Sequence, residues 1–225
     1  VQANSLHNQF SSPNPKTLDI VCIEVFEELE YDIDIKNDAP IIFDCGAHIG
    51  VASLFFIQKY PHSRIIAFEP NPSSVVYYKK NLEKFFHTQQ VQLHQVALGK
   101  QNSFSSLHVT SKPGSLLASA HFVYHGPQVP IHCKKLSEFL NDYDVVDLVK
   151  LDIEGAEWDV IDELIESKGL GKINQLIVEF HETKNESGKV DAYIQKMTKC
   201  GFIFNVRARK SVTMFECYVV HFVKE

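Results

Sequence analysis

The sequence predicts an α/β domain of Rossmann-like architecture: a mostly parallel sheet with helices on both faces and an antiparallel hairpin at its C-terminal end. Two observations carry this. Ile41-Ile42-Phe43-Asp44-Cys45-Gly46-Ala47-His48-Ile49-Gly50, an amphipathic stretch and Ile65-Ile66-Ala67-Phe68-Glu69-Pro70 follow one another, and they read as strand, glycine turn, helix and a second strand ending in a carboxylate. The last two strand-like segments, 202–206 and 214–223, are joined only by 207–212. So short a link makes them antiparallel neighbours, because a parallel crossover needs about a dozen residues or more.

Each element has its own signal. The first seventeen residues are rich in Asn, Ser, Gln and Pro and predict a polar, mobile tail, with one domain over 18–225. Leu18, Val21, Cys22, Val25, Phe26 and Leu29 recur at helical spacing, so a lead-in helix and its connection fill 18–40. Strand 41–43 feeds the glycine turn. The next helix turns Val51, Leu54 and Phe55 inward and ends at Pro61. Asn71-Pro72 opens another helix, with Val75, Val76, Leu82, Phe85 and Phe86 as candidate core. Residues 91–96 alternate as a strand that delivers Ala97 and Leu98 to the carboxyl edge of the sheet, where a base would lie. Further strands are predicted over 145–151 and 176–180, with helices near 158–167 and 190–199. Between 99 and 130 the pattern breaks: 104–109 reads as a short added strand, and a loop runs from Ser111 through His121, Tyr124, His125 and Gly126. An insertion at this edge could wall an acceptor pocket.

The turn chemistry narrows the ligand. Gly46 and Gly50 let the backbone turn sharply and approach a ligand closely, Asp44 places a carboxylate at the turn, and Glu69 can accept hydrogen bonds from both hydroxyls of a ribose. A dinucleotide fingerprint would need a third glycine to seat a pyrophosphate, and Gly46-Ala47-His48-Ile49-Gly50 lacks it. S-adenosylmethionine, a nucleoside without phosphate, suits this loop. His48 would touch it through its backbone, its side chain partly exposed.

Phe68-Glu69-Pro70-Asn71-Pro72, Val96-Ala97-Leu98-Gly99, Leu148-Val149-Lys150-Leu151-Asp152-Ile153-Glu154-Gly155-Ala156-Glu157 and Val178-Glu179-Phe180-His181, in that order, resemble the FkbM-like family of S-adenosylmethionine-dependent methyltransferases. The likeness runs from about Ile41 to His181. It implies the seven-stranded class I methyltransferase sheet and S-adenosylmethionine as cofactor. It also implies methylation of hydroxyls on sugars, polyketides and other natural products, or, in a minority, of peptide amides. Cofactor-binding candidates are Asp44, Gly46, Ala47, His48, Gly50, Glu69, Pro70, Asn71, Ala97, Leu98 and Asp152. Tyr31 joins them because an aromatic before the first strand can close over the cofactor in relatives. The family usually has asparagine at the place of His48.

Methyl transfer to a hydroxyl needs a held acceptor and a base. His181, expected at the end of its strand, is the side chain that titrates nearest neutrality, with Glu179 or Glu154 orienting or replacing it and Asp152 as the other candidate base. Glu157 would stabilise a helix N-terminus. Asp152, Glu179 and His181 could also hold a divalent ion, which is not favoured over metal-free chemistry. His121 and His125 would suit a metal only on a helix, and Gly126-Pro127 argues against one.

With 22 basic against 28 acidic residues there is no global field to gather nucleic acid or anionic lipid, so neither is expected as a partner. Lys79-Lys80, Lys134-Lys135 and Arg207-Ala208-Arg209-Lys210 read as solvated surface. The cysteines, Cys22, Cys45, Cys133, Cys200 and Cys217, form no Cys-x-x-Cys pair and read as free thiols in a reducing compartment. No apolar run reaches membrane-span length and no signal-peptide pattern is present, so a cytoplasmic enzyme acting on a small-molecule or glycan acceptor is expected. It could equally be a domain of a larger glycan-modifying protein. A cofactor-binding module without turnover is the reading from another class.

Overall fold

A computed structural model of the protein describes residues 10–86, 89–109, 118–119, 126–211 and 215–225. Seven strands form the main sheet: β1 (Ile41–Cys45), β2 (Arg64–Phe68), β3 (Val91–His94), β8 (Val146–Leu151), β9 (Ile173–Thr183), β10 (Phe202–Ser211) and β11 (Phe215–Lys224), in the order β10-β11-β9-β8-β1-β2-β3. Pairing is parallel from β3 to β9, and β11 runs antiparallel to both β9 and β10. This is the Rossmann-like methyltransferase sheet, and its hairpin lies where the short link demands.

The strands of the sheet centre are apolar on both sides because both sides are covered. Phe43, Ile66, Val149, Val178 and Val220 face α5 (Leu136–Leu140), α6 (Glu157–Glu166) and α7 (Lys189–Lys199). Ile42, Ile65, Leu148, Ile177 and Val219 face α1 (Pro15–Cys22), α2 (Val51–Lys59) and α3 (Pro72–Asn81). The period-2 alternation of one strand thus serves two cores.

Several boundaries differ from the sequence expectation. The domain starts before residue 18: Phe10 is buried, the Ser11 amide donates to Asn81 Oδ1, and Asn14 caps α1 by accepting from the Thr17 amide. Residues 1–9 of the expected tail lie outside the described residues. The lead-in helix continues past Cys22 as a π-helical turn, Ile23–Glu27, whose wider winding rotates the apolar face, so Leu18, Cys22 and Val25 are buried while Leu29 is exposed. Val76 also points outward. β3 stops at His94, and Ala97–Leu98 is instead a two-residue strand, β4, of a second sheet. That sheet adds β5 (Ser103–Val109), β6 (Ala118–Ser119) and β7 (Gln128–Lys134) in the order β4-β7-β5-β6. Two-residue strands carry no periodicity to read. Ser111, His121, Tyr124 and His125 of the expected substrate loop lie outside the described residues, as do Val212 and Met214. No helix among the described residues is long and apolar enough to cross a membrane.

Candidate functional site

The carboxyl ends of β1, β2, β8 and β9 converge on two adjoining cavities. The first, about 750 Å³, is lined by Gly46, His48, Phe68 through Asn71, Ser74, Val96, Ala97, Leu98, Leu107, Asp152 through Glu154 and Ala156. The second, about 1070 Å³, lies under α1 and the π turn and is lined by Glu24, Glu30, Tyr31, Lys150, Glu179, His181, Cys217 and apolar neighbours. Gly46, His48, Asp152 and Glu154 line both. Both sit where open α/β sheets hold ligands.

The glycine turn is built by backbone contacts. The Gly46 and Ala47 amides both donate to the Phe68 carbonyl at 3.0 Å. Gly46 has φ +82°, and a Cβ on it would stand 1.7 Å from the Asp152 carbonyl oxygen. What demands glycine here is therefore the neighbouring strand end, not a ligand. Gly50 (φ +93°) is likewise held against Leu82 and Tyr78. His48 adopts φ +48°, a left-handed conformation that asparagine tolerates better than most residues, which gives the family's usual residue a physical reason. Its amide donates to Glu69 Oε2 at 2.8 Å. The half-buried ring keeps a buried, unbonded Nδ1, and burial pushes its pKa down to about 4.

Glu69 ends β2, as expected, and its Oε1 accepts from the Asn71 amide at 2.7 Å. Each carboxyl oxygen thus takes one backbone donor and keeps a second lone pair. Burial outweighs those donors and raises its pKa to about 7. Pro70, Asn71, Ala97 and Leu98 share the first cavity with it, Asn71 also capping α3.

Asp44 does not reach either cavity. Its carboxylate is fully buried, accepts from Ser53 Oγ at 2.6 Å and lies 3.4 Å from Lys150 Nζ; the expectation that it contacts a cofactor gives way to a structural role. Lys150 is the residue that sequence reasoning missed. Its buried ammonium donates to the Gly46 carbonyl at 2.8 Å and pairs with Asp152 at 3.3 Å as well as with Asp44. A lysine amid a buried apolar strand, two residues from an aspartate, was the available signal. Burial opposes its charge, yet Asp152 and Asp44 more than compensate and raise its pKa. Burial likewise opposes ionisation of Asp152, but Lys150 prevails and lowers it, so this carboxylate is charged. The Tyr31 hydroxyl donates to Asp152 Oδ2 at 3.2 Å, which places Tyr31 in the second cavity.

His181 lies within β9, opposite Cys217 of β11, and not at the strand's end. Its Nδ1 is 3.1 Å from Glu157 Oε1, and its Nε2 is 3.8 Å from Glu154 Oε2. Burial alone would lower its pKa, but Glu157, then Glu154 and Glu179, raise it well above the ordinary value. Both ring nitrogens thus face carboxylates, which favour the charged form of the ring. Glu157 does more than complement a helix end: fully buried, it also accepts from the Ile153 and Gly155 amides, fixing the turn that carries Glu154 at φ +56°. Glu154 is raised by burial to about 7 despite His181, and Glu179 is raised well above the usual carboxylate range by burial and then by Asp152.

Donor atoms of Glu179, His181 and Cys217, and of Asp152, Glu157 and His181, lie within 4.8 Å of one another. To hold an ion, the first set would have to shed the proton of a Cys217 thiol pushed up to about 12 by burial, and both sets would have to draw His181 away from its contacts with Glu157 and Glu154.

The sequence pattern of the methyltransferase FkbM domain matches residues 44–204. Methyltransferase 1 of Beauveria bassiana is 27% identical over 208 residues, 83% of each chain. The 2-O-methyltransferase NoeI of Sinorhizobium fredii is 22% identical over 144 residues, which cover 56% of this chain and 58% of that one. The crystal structure of methyltransferase FkbM from Methylobacillus flagellatus shares the fold, with a TM-score of 0.58 at 15% identity. The match covers 98% of this chain and 57% of that one.

Proposed function

We propose that this chain, which belongs to the FkbM methyltransferase family, transfers a methyl group from S-adenosylmethionine to a hydroxyl of a sugar in a glycan or glycosylated natural product. The observation that carries the reading is the shared wall of the two cavities, where Asp152 and Glu154 face both. A donor in one cavity and an acceptor in the other would meet there, as in-line displacement requires.

The residues of the first cavity suit the donor. Glu69 keeps lone pairs for ribose hydroxyls, Val96, Ala97, Leu98 and Leu107 offer an apolar slot for adenine, and the charged Asp152 suits the cationic methionyl end. When bound, S-adenosylmethionine supplies an electrophilic methyl group on a sulfonium. Glu154 is the base of this reading: its pKa of about 7 matches a proton acceptor working near neutrality, and it stands at the junction. His181, engaged by Glu157, stands beside Glu154 and favours the deprotonated, proton-accepting form of its carboxylate. The NoeI relative, by name a 2-O-methyltransferase, supports a hydroxyl acceptor over an amide.

The test combines calorimetric binding of S-adenosylmethionine with S-adenosylhomocysteine release across a panel of glycosides, followed by mass spectrometry of the products. Methylation on oxygen is expected. No cofactor binding, or methyl found on nitrogen, would overturn the reading.

A further inference from the structure

The second cavity has a chemistry that divides its walls. On one side Ile20, Val21 and Val25 of the lead-in helix and π turn face Val51 and Ala52 of α2. Ile20 is 52% exposed at the mouth, and Ile23, one turn on, is also exposed, so the apolar strip continues out to the surface. On the other side stand Tyr31, Glu154, Glu179 and His181. The charges there are already matched. Lys150 is held by Asp44 and Asp152, His181 by Glu157 and Glu154, and Glu24 and Glu30 accept from Lys210 at 2.8 and 3.1 Å. Lys150 and His181, the cations that line the cavity among the described residues, are therefore both engaged by carboxylates.

We infer that the acceptor is an uncharged amphiphile: its hydroxyl-bearing end lies among Tyr31, Glu154, Glu179 and His181, and its apolar body lies along Ile20, Val21 and Val25. A bare sugar would leave that strip wet and gain nothing from it, whereas each buried methylene adds affinity. An acceptor bearing phosphate, sulfate or carboxylate would bring an anion to a wall whose cations, among the described residues, are already held by carboxylates, a juxtaposition that costs affinity. The inference rests on the methyl-transfer reading for the identity of the hydroxyl end.

The test is calorimetric binding of methyl β-glucoside, octyl β-glucoside and octyl sulfate to the full chain in the presence of S-adenosylhomocysteine, with octyl concentrations kept below micelle formation. Octyl glucoside should bind at least about tenfold tighter than methyl glucoside and at least about tenfold tighter than octyl sulfate. Ile20→Asp and Val21→Asp should each remove most of the alkyl gain, Ile20→Leu should keep it, and S-adenosylhomocysteine should bind all three variants as it binds the parent. Equal binding of the two glucosides, octyl sulfate as tight as octyl glucoside, or an alkyl gain that survives both aspartates would overturn the inference. The methyl-transfer reading fails separately: an alkyl-dependent gain without turnover of any hydroxylated acceptor sinks that reading and leaves the amphiphile inference standing.

Discussion

The two cavities are built in opposite ways. The first is made by contiguous segments, the glycine turn, the end of β2 and the Ala97-Leu98 pair, and its shape is set by backbone: amides on the Phe68 carbonyl and on Glu69, and a glycine pressed against the Asp152 carbonyl. The second draws on the lead-in segment, the glycine turn and the start of α2, β8 with its following turn, β9 and β11, and its polar part is set by charge. Backbone geometry tolerates almost no substitution but asks nothing of pH. A charge cluster tolerates shape changes and responds to every proton. Disturbing each cavity in its own terms is the way to break or sharpen that contrast.

The largest effect is expected at Gly46. Gly46→Ala puts a Cβ 1.7 Å from the Asp152 oxygen at φ +82°, where neither partner can yield, because both are backbone. A loss of more than about 4 kcal/mol is expected, read as failure to fold or a collapsed midpoint in urea. A stable variant that binds cofactor would show that the turn is softer than backbone construction implies.

Next comes Lys150, which lines the second cavity and holds Asp152, a residue of both. Lys150→Met removes the ammonium that pairs with both Asp44 and Asp152, leaving buried carboxylates uncompensated, at a cost of about 3–5 kcal/mol. Adding Asp44→Asn should recover part of that loss, because one stranded charge disappears. If the double variant is no more stable than Lys150→Met alone, the Asp44 charge is not what the lysine compensates.

Much of this contrast was legible in the sequence, and the exceptions share a cause. The strand-turn-helix-strand order, the C-terminal hairpin and the positions of Glu69, Asp152 and Glu154 follow from local pattern and short range. What escaped depends on contacts between distant residues. Asp44 reads as a ligand-facing acid, but a serine nine residues on and a lysine from β8 claim both its oxygens. His181 reads as a strand-end histidine, but it lies inside β9 with its Nδ1 3.1 Å from the carboxylate of Glu157, 24 residues earlier. The β4-β7-β5-β6 sheet joins strands as short as two residues across the segment 97–134, and the π turn shows only as an apolar face that drifts.

A smaller effect, confined to the rate, separates Glu154 from His181. Glu154→Gln should lower kcat by about 10²-fold or more, while changing cofactor affinity far less. In the parent, kcat should rise with pH up to about 7 and level above it, since the base works only when deprotonated. That limb should vanish in Glu154→Gln. If His181→Gln abolishes the limb and Glu154→Gln keeps it, the histidine is the base after all.

The first cavity holds its own titrating group, and this gives the finest distinction. Burial also raises the pKa of Glu69, from an ordinary 4.5 to about 7. In the free protein the folded state therefore binds more protons than the unfolded chain between those values, so Glu69's share of stability falls as pH rises through that window. A ribose that donates hydrogen bonds to this carboxyl favours the charged form and offsets the loss. Cofactor affinity should accordingly rise by up to about tenfold between pH 6 and 8 and then flatten, and the thermal shift caused by S-adenosylhomocysteine should be larger at pH 8 than at pH 6. Glu69→Gln should weaken binding by about tenfold and flatten the pH dependence, because an amide NH2 now faces one of the two backbone donors. Proton effects would then divide cleanly, acting on Kd through the backbone-built cavity and on kcat through the charge-built one. A Kd that follows Glu154 instead would mean that the two cavities are one electrostatic unit.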